Sequence, residues 1–327
     1  MRRRFAIGRL PFCIALLVSL VSLFFGFVTL QAQDFPNKPI TLVIASAAGG
    51  QAELMARILS PLAPEVFGQP LIIQARPGGG GAIGTELVYQ AKPDGHTLSM
   101  GKANWSSILP ALEGRSRGPE DMEAVCRINT AYTFDFVQAN SPFKTFKDLI
   151  AYAKANPGKL TYGNSGVWSL TDLEWRWIEM KAGIQTRNVA YEGGGASILG
   201  LLGGHIQVAA FSPGAGLPHY RAGKLRPLAY SGLRRHPELP NIPTLIEEGF
   251  DMGLDGNWQG ILAPKGTPRP VIEKLAAGFK KMTENKQAIA GMTQLGEEFG
   301  YMGPDEFAKF WRNDYEVYKE MAKMFKK

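Results

Sequence analysis

The sequence predicts an α/β fold with largely parallel sheets covered by helices on both faces, and three observations carry that expectation. Short apolar runs alternate with segments of about ten to twenty residues at helical spacing, so strand and helix follow one another in turn. Glycine-bearing stretches follow several of the runs, where a parallel strand hands the chain to a helix. The 327 residues, 45% hydrophobic and 20% charged, suffice for the cores of about two domains and exclude a disordered tail or a collagen-like rod.

The N-terminus stands apart. Arg2, Arg3, Arg4 and Arg9 precede an apolar run from Ile14 to Leu30, and no acid occurs before Asp34. This is the pattern of a secretory signal peptide, assigned to residues 1–33. An uncleaved anchor is the alternative, because Leu30 stands where cleavage after Ala32 would want a small residue, and the apolar run is long for a signal. Arg2, Arg3 and Phe5 echo a twin-arginine leader, but too much of that pattern is missing to prefer it. Without the four leader arginines, the 36 basic residues fall to 32 against 29 acids, and the formal charge of +7 falls to +3. So small a surplus is no nucleic-acid footprint, and no nucleic-acid partner is expected. Cys13 sits in the leader and leaves Cys126 alone, which excludes an internal disulfide. His96, His205, His219 and His236 are scattered, with no two at metal-ligand spacing, so neither a metal nor another cofactor is expected.

Beyond Asp34 no stretch of 18 apolar residues remains, and the runs Ile40–Ala45, Leu71–Gln74, Thr97–Met100, Ala124–Ile128, Leu160–Tyr162, Asn188–Ala190, Ile206–Ala210 and Leu225–Tyr230 read as strands. Leu54, Met55, Ile58, Leu59 and Leu62 form a helical stripe after the first of them. From Pro304 onward Phe307, Phe310, Trp311, Tyr315, Tyr318, Met321 and Phe325 fall on one face of a closing helix. That face reads as core packing rather than as an aromatic ligand box.

At strand ends, free backbone N–H groups and a helix dipole favour an anionic oxygen. Four junctions qualify: Ser46–Glu53, Arg76–Gly84, Gly163–Ser169 and Tyr191–Gly195. They are read as one shared anion-binding site, with simple tight turns as the alternative. Gly79, Gly81 and Gly84 match G-x-G-x-x-G, but the match follows the second strand and no ribose-binding acid ends the next, so a dinucleotide is not expected. Gly163–Val167 is a near miss for a nucleophile elbow, lacking the last glycine, and Ser165 is read as a hydrogen-bond donor.

A series of short motifs runs in order along nearly the whole mature chain. The first half contributes Pro36–Ile44, Gly49-Gly50, Ala56-Arg57, Gly68-Gln69-Pro70, Arg76-Pro77-Gly78 and Pro93–Leu98. Leu160–Gly163, Tyr191–Gly195, Leu201–His205, Gly223–Arg226, Pro243-Thr244 and Trp258 through Pro264–Pro268 continue it. With these motifs the chain resembles the substrate-binding proteins of tripartite tricarboxylate transporters. The resemblance implies a periplasmic, two-lobed receptor of the type II periplasmic-binding-protein class, with its ligand cleft between the lobes. It implies lobe 1 from 34–135 and 257–327, lobe 2 from 136–256, and a closing helix against lobe 1 or the hinge. Such a receptor would act as a monomer, capture a small organic acid (tricarboxylate, dicarboxylate or aromatic) and deliver it to membrane permease subunits. Carried over residue by residue, Ser46, Gly49, Gly50, Gly79, Gly80 and Gly81 would face Asn164, Ser165, Ser169, Tyr191, Gly193 and Gly194, with Ala48 and Gln51 of the first loop as further ligand-binding candidates. Amides, hydroxyls and water can satisfy a carboxylate without a buried arginine.

The sequence departs from the family pattern at Glu53, Ala75 and Asp172. Glu53 is expected to pair with Arg57 one helical turn on, and Asp172 to act as a cap or dipole partner of its helix. Glu192 is expected to point outward or to be salt-bridged, an inward carboxylate suiting a ligand with an amino group instead. Trp105, beside Asn104, and Trp168 either pack under their loops or sandwich a flat ring between them, which would favour an aromatic carboxylate. Lys102 and Arg127 are candidate charge partners whose simpler place is the solvated surface. Two other classes stay open: an exported α/β hydrolase or lyase, which needs a base beside a nucleophile, and a ligand-sensing module on the same fold.

Overall fold

A computed structural model describes residues 35–46, 50–191 and 194–325. The leader with Cys13, and Ala48, Gly49, Glu192 and Gly193, lie outside the described residues. Among the described residues eleven strands are formed: β1 (Ile40–Ile44), β2 (Leu71–Ala75), β3 (Thr97–Lys102), β4 (Met122–Ala131), β5 (Phe134–Gln138), β6 (Thr161–Asn164), β7 (Arg187–Ala190), β8 (Val208–Phe211), β9 (Leu225–Tyr230), β10 (Asn257–Pro264) and β11 (Phe299–Met302). They make one six-stranded sheet, in the order β11-β4-β10-β3-β1-β2, and one five-stranded sheet, β7-β6-β8-β5-β9. Among the described residues no helix is long and apolar enough to cross a membrane.

β1 shows why its sheet is covered on both sides. Ile40, Leu42 and Ile44 pack into one core with the helices Gln51–Leu59 and Arg269–Thr283, while Val43 turns to the opposite core with Val88, Trp258 and Trp311. The five-stranded sheet repeats the arrangement, with Tyr162 and Val208 on one face and Phe134, Phe136 and Phe211 on the other.

The expectation of largely parallel sheets needs correction. β1 is parallel to β2 and β3, and β6 to β7 and β8, but β10 runs antiparallel to β3 and β4, β11 to β4, and β5 to β8 and β9. β5 and β10 carry the chain from one sheet to the other, so each enters its sheet against the direction of the strands it joins. These two and the short β11 escape the sequence reading, since Gly260 and Pro264 punctuate β10 and Gly300 interrupts β11.

The outgoing crossing is Tyr132-Thr133, between β4 and β5, and the return ends at Gly256 before β10. Asp255 ties the two together by accepting from Arg127 Nη1 at 2.6 Å and from the Tyr132 hydroxyl. Arg127, expected at the solvated surface, is instead buried, and its Nε donates to the Gly300 carbonyl at 3.0 Å.

The closing helix Pro304–Phe325 buries Phe307, Trp311, Tyr318 and Met321 of the expected stripe as core and leaves Phe310, Tyr315 and Phe325 half-buried. Phe307 and Trp311 pack against Trp258 of β10, and Tyr318, Met321 and Ala322 continue onto Leu170 and Leu173 of the helix Leu170–Ala182. The helix therefore spans both lobes. Trp258 Nε1 donates to Asp314 Oδ2 at 2.7 Å in this seam, and burial pushes the Asp314 carboxyl up to about 7.

Candidate ligand-binding cleft

Between the sheets lies a cleft of about 750 Å³, within the range of small-molecule sites. Its first wall is built from strand ends. Beyond β1, Ser46 and Gly50 lead into the helix Gln51–Leu59, whose N-terminus opens at the cleft and offers the positive end of its dipole. After β2 come Pro77, Gly78, Gly80 and Gly81. Gly81 has φ +105°, and a Cβ there would stand 2.6 Å from Trp105 Cβ, so only glycine lets the backbone lie against that side chain. A π-helical turn, Asn104–Ile108, follows β3 and sets Asn104 and Trp105 on the wall, where Trp105 Nε1 is held by the Met100 carbonyl at 3.2 Å.

The second wall comes from Ser165, Leu170 and Thr171 and from Gly194 and Gly195 at the start of the helix Gly194–Leu202. Thr171 Oγ1 accepts from the Ser165 amide at 3.3 Å and fixes that loop. Tyr132, Thr133 and Asn257 of the crossings form the floor. At one end the loop holding Leu295 and Glu297 meets Ser212 and Ala215 beside the helix Pro213–Arg221. Gly214 and Gly296 touch backbone to backbone there, since a Cβ on Gly214 would lie 2.1 Å from the Leu295 oxygen and one on Gly296 2.5 Å from the Gly214 nitrogen.

Of the residues named from the sequence, Ser46, Gly50, Gln51, Gly80, Gly81, Asn104, Trp105, Ser165 and Gly194 come together on this lining. Gly79, Asn164, Trp168, Ser169 and Tyr191 lie off it. Asn164 is buried, donating to Asp172 Oδ1 at 3.1 Å and Asn188 Oδ1 at 2.6 Å. Ser169 caps the helix Leu170–Ala182 by accepting from the Asp172 amide at 3.3 Å. Trp168 lies under Arg176, 4.7 Å from ring centroid to guanidinium carbon, and packs in the seam with the closing helix. Only Trp105 of the two tryptophans reaches the cleft, so the expected aromatic sandwich does not form. Tyr191 packs beneath its neighbouring helix, in the space left by the missing Cβ of Gly200.

The charged departures resolve separately. Glu53 pairs with Arg57 Nε at 3.0 Å, one turn along the helix. Asp172 is fully buried in the first turn of its helix and does far more than cap it. Its Oδ1 accepts from the Tyr162 hydroxyl at 2.6 Å and from Asn188 at 2.6 Å, and its Oδ2 from the Trp168 amide and Arg176 Nε, each at 3.0 Å. That network holds the Ser165 loop in shape.

Lys102 is placed differently from expectation: it lines the cleft rather than the solvated surface. Its Nζ donates to Gln51 Oε1 at 3.1 Å, the Gln51 amide nitrogen donates to Glu297 Oε1, and Asn129 Nδ2 donates to Glu297 Oε2 at 2.6 Å. Burial pushes the Lys102 pKa below the ordinary lysine value, opposed by the Glu297 carboxylate, while burial raises Glu297 against its amide partners and Lys102. Lys102 closes β3, the kind of position that singled out the other loops, whereas nothing local in the sequence marks Glu297, Asn257 or Thr171. No group of three His, Cys, Asp or Glu that could hold a metal occurs among the described residues.

Two α/β lobes joined by two chain crossings, with a cleft lined from both, define a periplasmic-binding-protein fold. Residues 55–325 match the tripartite tricarboxylate transporter family receptor, TctC, and the chain belongs to that family of solute-binding receptors, which are not enzymes. The UPF0065 protein in the gbd 5′ region of Cupriavidus necator is 35% identical over 292 residues, 86% of this chain and 85% of that protein. A TctC solute-binding protein from Polaromonas superposes with a TM-score of 0.77 at 26% identity, over 89% of this chain and 99% of that one. R. palustris Rpa4515, solved with adipate, gives 0.77 at 26% identity over 89% and 98% of the two chains.

Proposed function

We propose that this chain, exported to the periplasm by residues 1–33, captures a small organic carboxylate as a monomer and delivers it to the membrane permease subunits of a tripartite tricarboxylate-type transporter. The observation that carries the reading is the cleft itself: donor-bearing residues of both lobes, Ser46, Gly50, Gly80 and Gly194 together with the Ser165 hydroxyl, line one space, while the Gly81 amide closes its own turn onto the Gly78 carbonyl at 3.0 Å. Such donors suit carboxylate oxygens. The adipate held by Rpa4515 supports the ligand class. The expected lobes, 34–135 with 257–327 against 136–256, agree with sheet membership except at Phe134 and Asp135, which pair in the second sheet, so we draw the first crossing at Tyr132-Thr133.

Capture works by closure. A ligand touched from both lobes binds the closed form more tightly than the open one, and only that difference shifts the balance. The Gly214–Gly296 contact lets the lobe backbones meet with no side chain between them.

A thermal-shift screen of mono-, di- and tricarboxylates and aromatic acids tests the proposal, because a ligand that binds only the folded protein raises its melting temperature. The expected result is a rise with at least one aliphatic acid, and recovery of that acid chemically unchanged by mass spectrometry. Silence with every acid, or recovery of a converted product, would overturn it.

A further inference from the structure

We propose that Lys102 determines charge specificity in the cleft: its ammonium takes a second anionic group of the ligand, so the receptor selects a dicarboxylate over the matching monocarboxylate. The inference rests on the carboxylate-capture reading above and adds to it the number of charges recognised.

The argument is an inventory of donors and acceptors. An ammonium carries three N–H donors, and Gln51 Oε1 takes one; among the described residues no carboxylate lies within ion-pair distance of Lys102 Nζ. Glu297, the nearby acid, is engaged on both oxygens by the Gln51 and Asn129 amides. The bridging Gln51 amide fixes this polarity, its oxygen toward the lysine and its nitrogen toward the glutamate. What the cluster leaves free on the cation is two N–H donors, while each oxygen of Glu297, itself on the cleft lining, already accepts from an amide.

The sheet beneath supports the same end of the cleft. Lys102 pairs in register with Gln259, and Gln259 with Asn129, so the three side chains stand in a row across β3, β10 and β4 on one face. Gln259 is fully buried with both amide atoms unpartnered, and Asn129 Oδ1 is likewise free. Buried polar groups without partners mark a place prepared for water or ligand. The glycine and hydroxyl loops supply donors for one carboxylate, and Lys102, at the end of β3 and bonded to Gln51 at the start of the helix Gln51–Leu59, receives the other.

The test is titration calorimetry with succinate, malate and adipate, each against its monomethyl ester, on the native sequence, on Lys102→Met and on Lys102→Gln. The native protein is expected to bind at least one diacid about ten- to a hundredfold more tightly than its ester, the worth of a hydrogen-bonded charge pair. Both variants should bring that ratio down to within about threefold, and a single cooperative urea transition for each certifies its folding independently of binding. If either variant fails to fold, the other and the native ratio still decide. A native protein that binds diacid no better than ester, or a preference that survives both substitutions, would overturn this inference alone. A native protein silent toward every acid and ester would overturn the capture reading, and this inference with it.

Discussion

Asp314 turns the seam between the closing helix and β10 into a measurable pH dependence. Its carboxyl is fully buried, takes one hydrogen bond from Trp258 Nε1 and is held at about 7 instead of 3.8, chiefly by desolvation, with Ser107 and Trp258 opposing. At about 1.4 kcal/mol per pH unit, that difference corresponds to about 4 kcal/mol. The raised value means that the folded protein keeps its proton where the unfolded chain has lost it. The contribution is therefore complete below pH 3.8 and is lost as pH rises through about 7. Asp314→Asn keeps an oxygen for the Trp258 donor and cannot ionise. Urea denaturation of both proteins from pH 4 to pH 8 should show near-equal stabilities at the acid end and a growing advantage for the variant, reaching about 2–4 kcal/mol at pH 8. Asp135 and Glu174, also raised by burial, slope the same way in both proteins and cancel in the difference. Parallel curves across the range, or a variant less stable at pH 8, would refute the reasoning.

Three further outcomes are expected. Gly81→Ala combines a left-handed φ with a clash against Trp105, should cost about 2–4 kcal/mol in urea melts and should weaken carboxylate binding; a loss below about 0.5 kcal/mol would show that the wall yields. Asp172→Ala removes the acceptor for Tyr162, Asn188, Arg176 and the Trp168 amide, should cost about 3 kcal/mol or more and should loosen the Ser165 loop, read as faster amide exchange there. Gly214→Ala obstructs the approach of the lobes rather than the core of either. Ligand affinity should fall about tenfold while the melting temperature without ligand stays unchanged, and unaltered affinity would remove the contact from the closure mechanism.

Much of the site's scaffold is legible residue by residue. Ser46, Gly50, Gly80, Gly81, Ser165 and Gly194 follow strands or open helices, positions that leave backbone donors free unless a turn takes them, as the Gly78 carbonyl takes the Gly81 amide and Thr171 Oγ1 the Ser165 amide. Side-chain direction is another matter. Trp105 and Trp168 look equivalent in their loops, yet one is pinned to the Met100 carbonyl on the cleft wall and the other is drawn under Arg176 into the seam. Asn164 and Ser169 sit in the right loop but spend their polar atoms inside it.

The sequence by itself determined the alternation of strand and helix, the donor-rich loops, the stripe of the closing helix and the family, because these depend on neighbours along the chain. Only the tertiary structure decided that β5 and β10 run against their sheets and that Arg127 is buried. It alone placed Lys102 in the cleft. A long cation at a strand end goes to water unless acceptors stand nearer, and those acceptors, Gln51 and through it Glu297, arrive from segments remote in the chain.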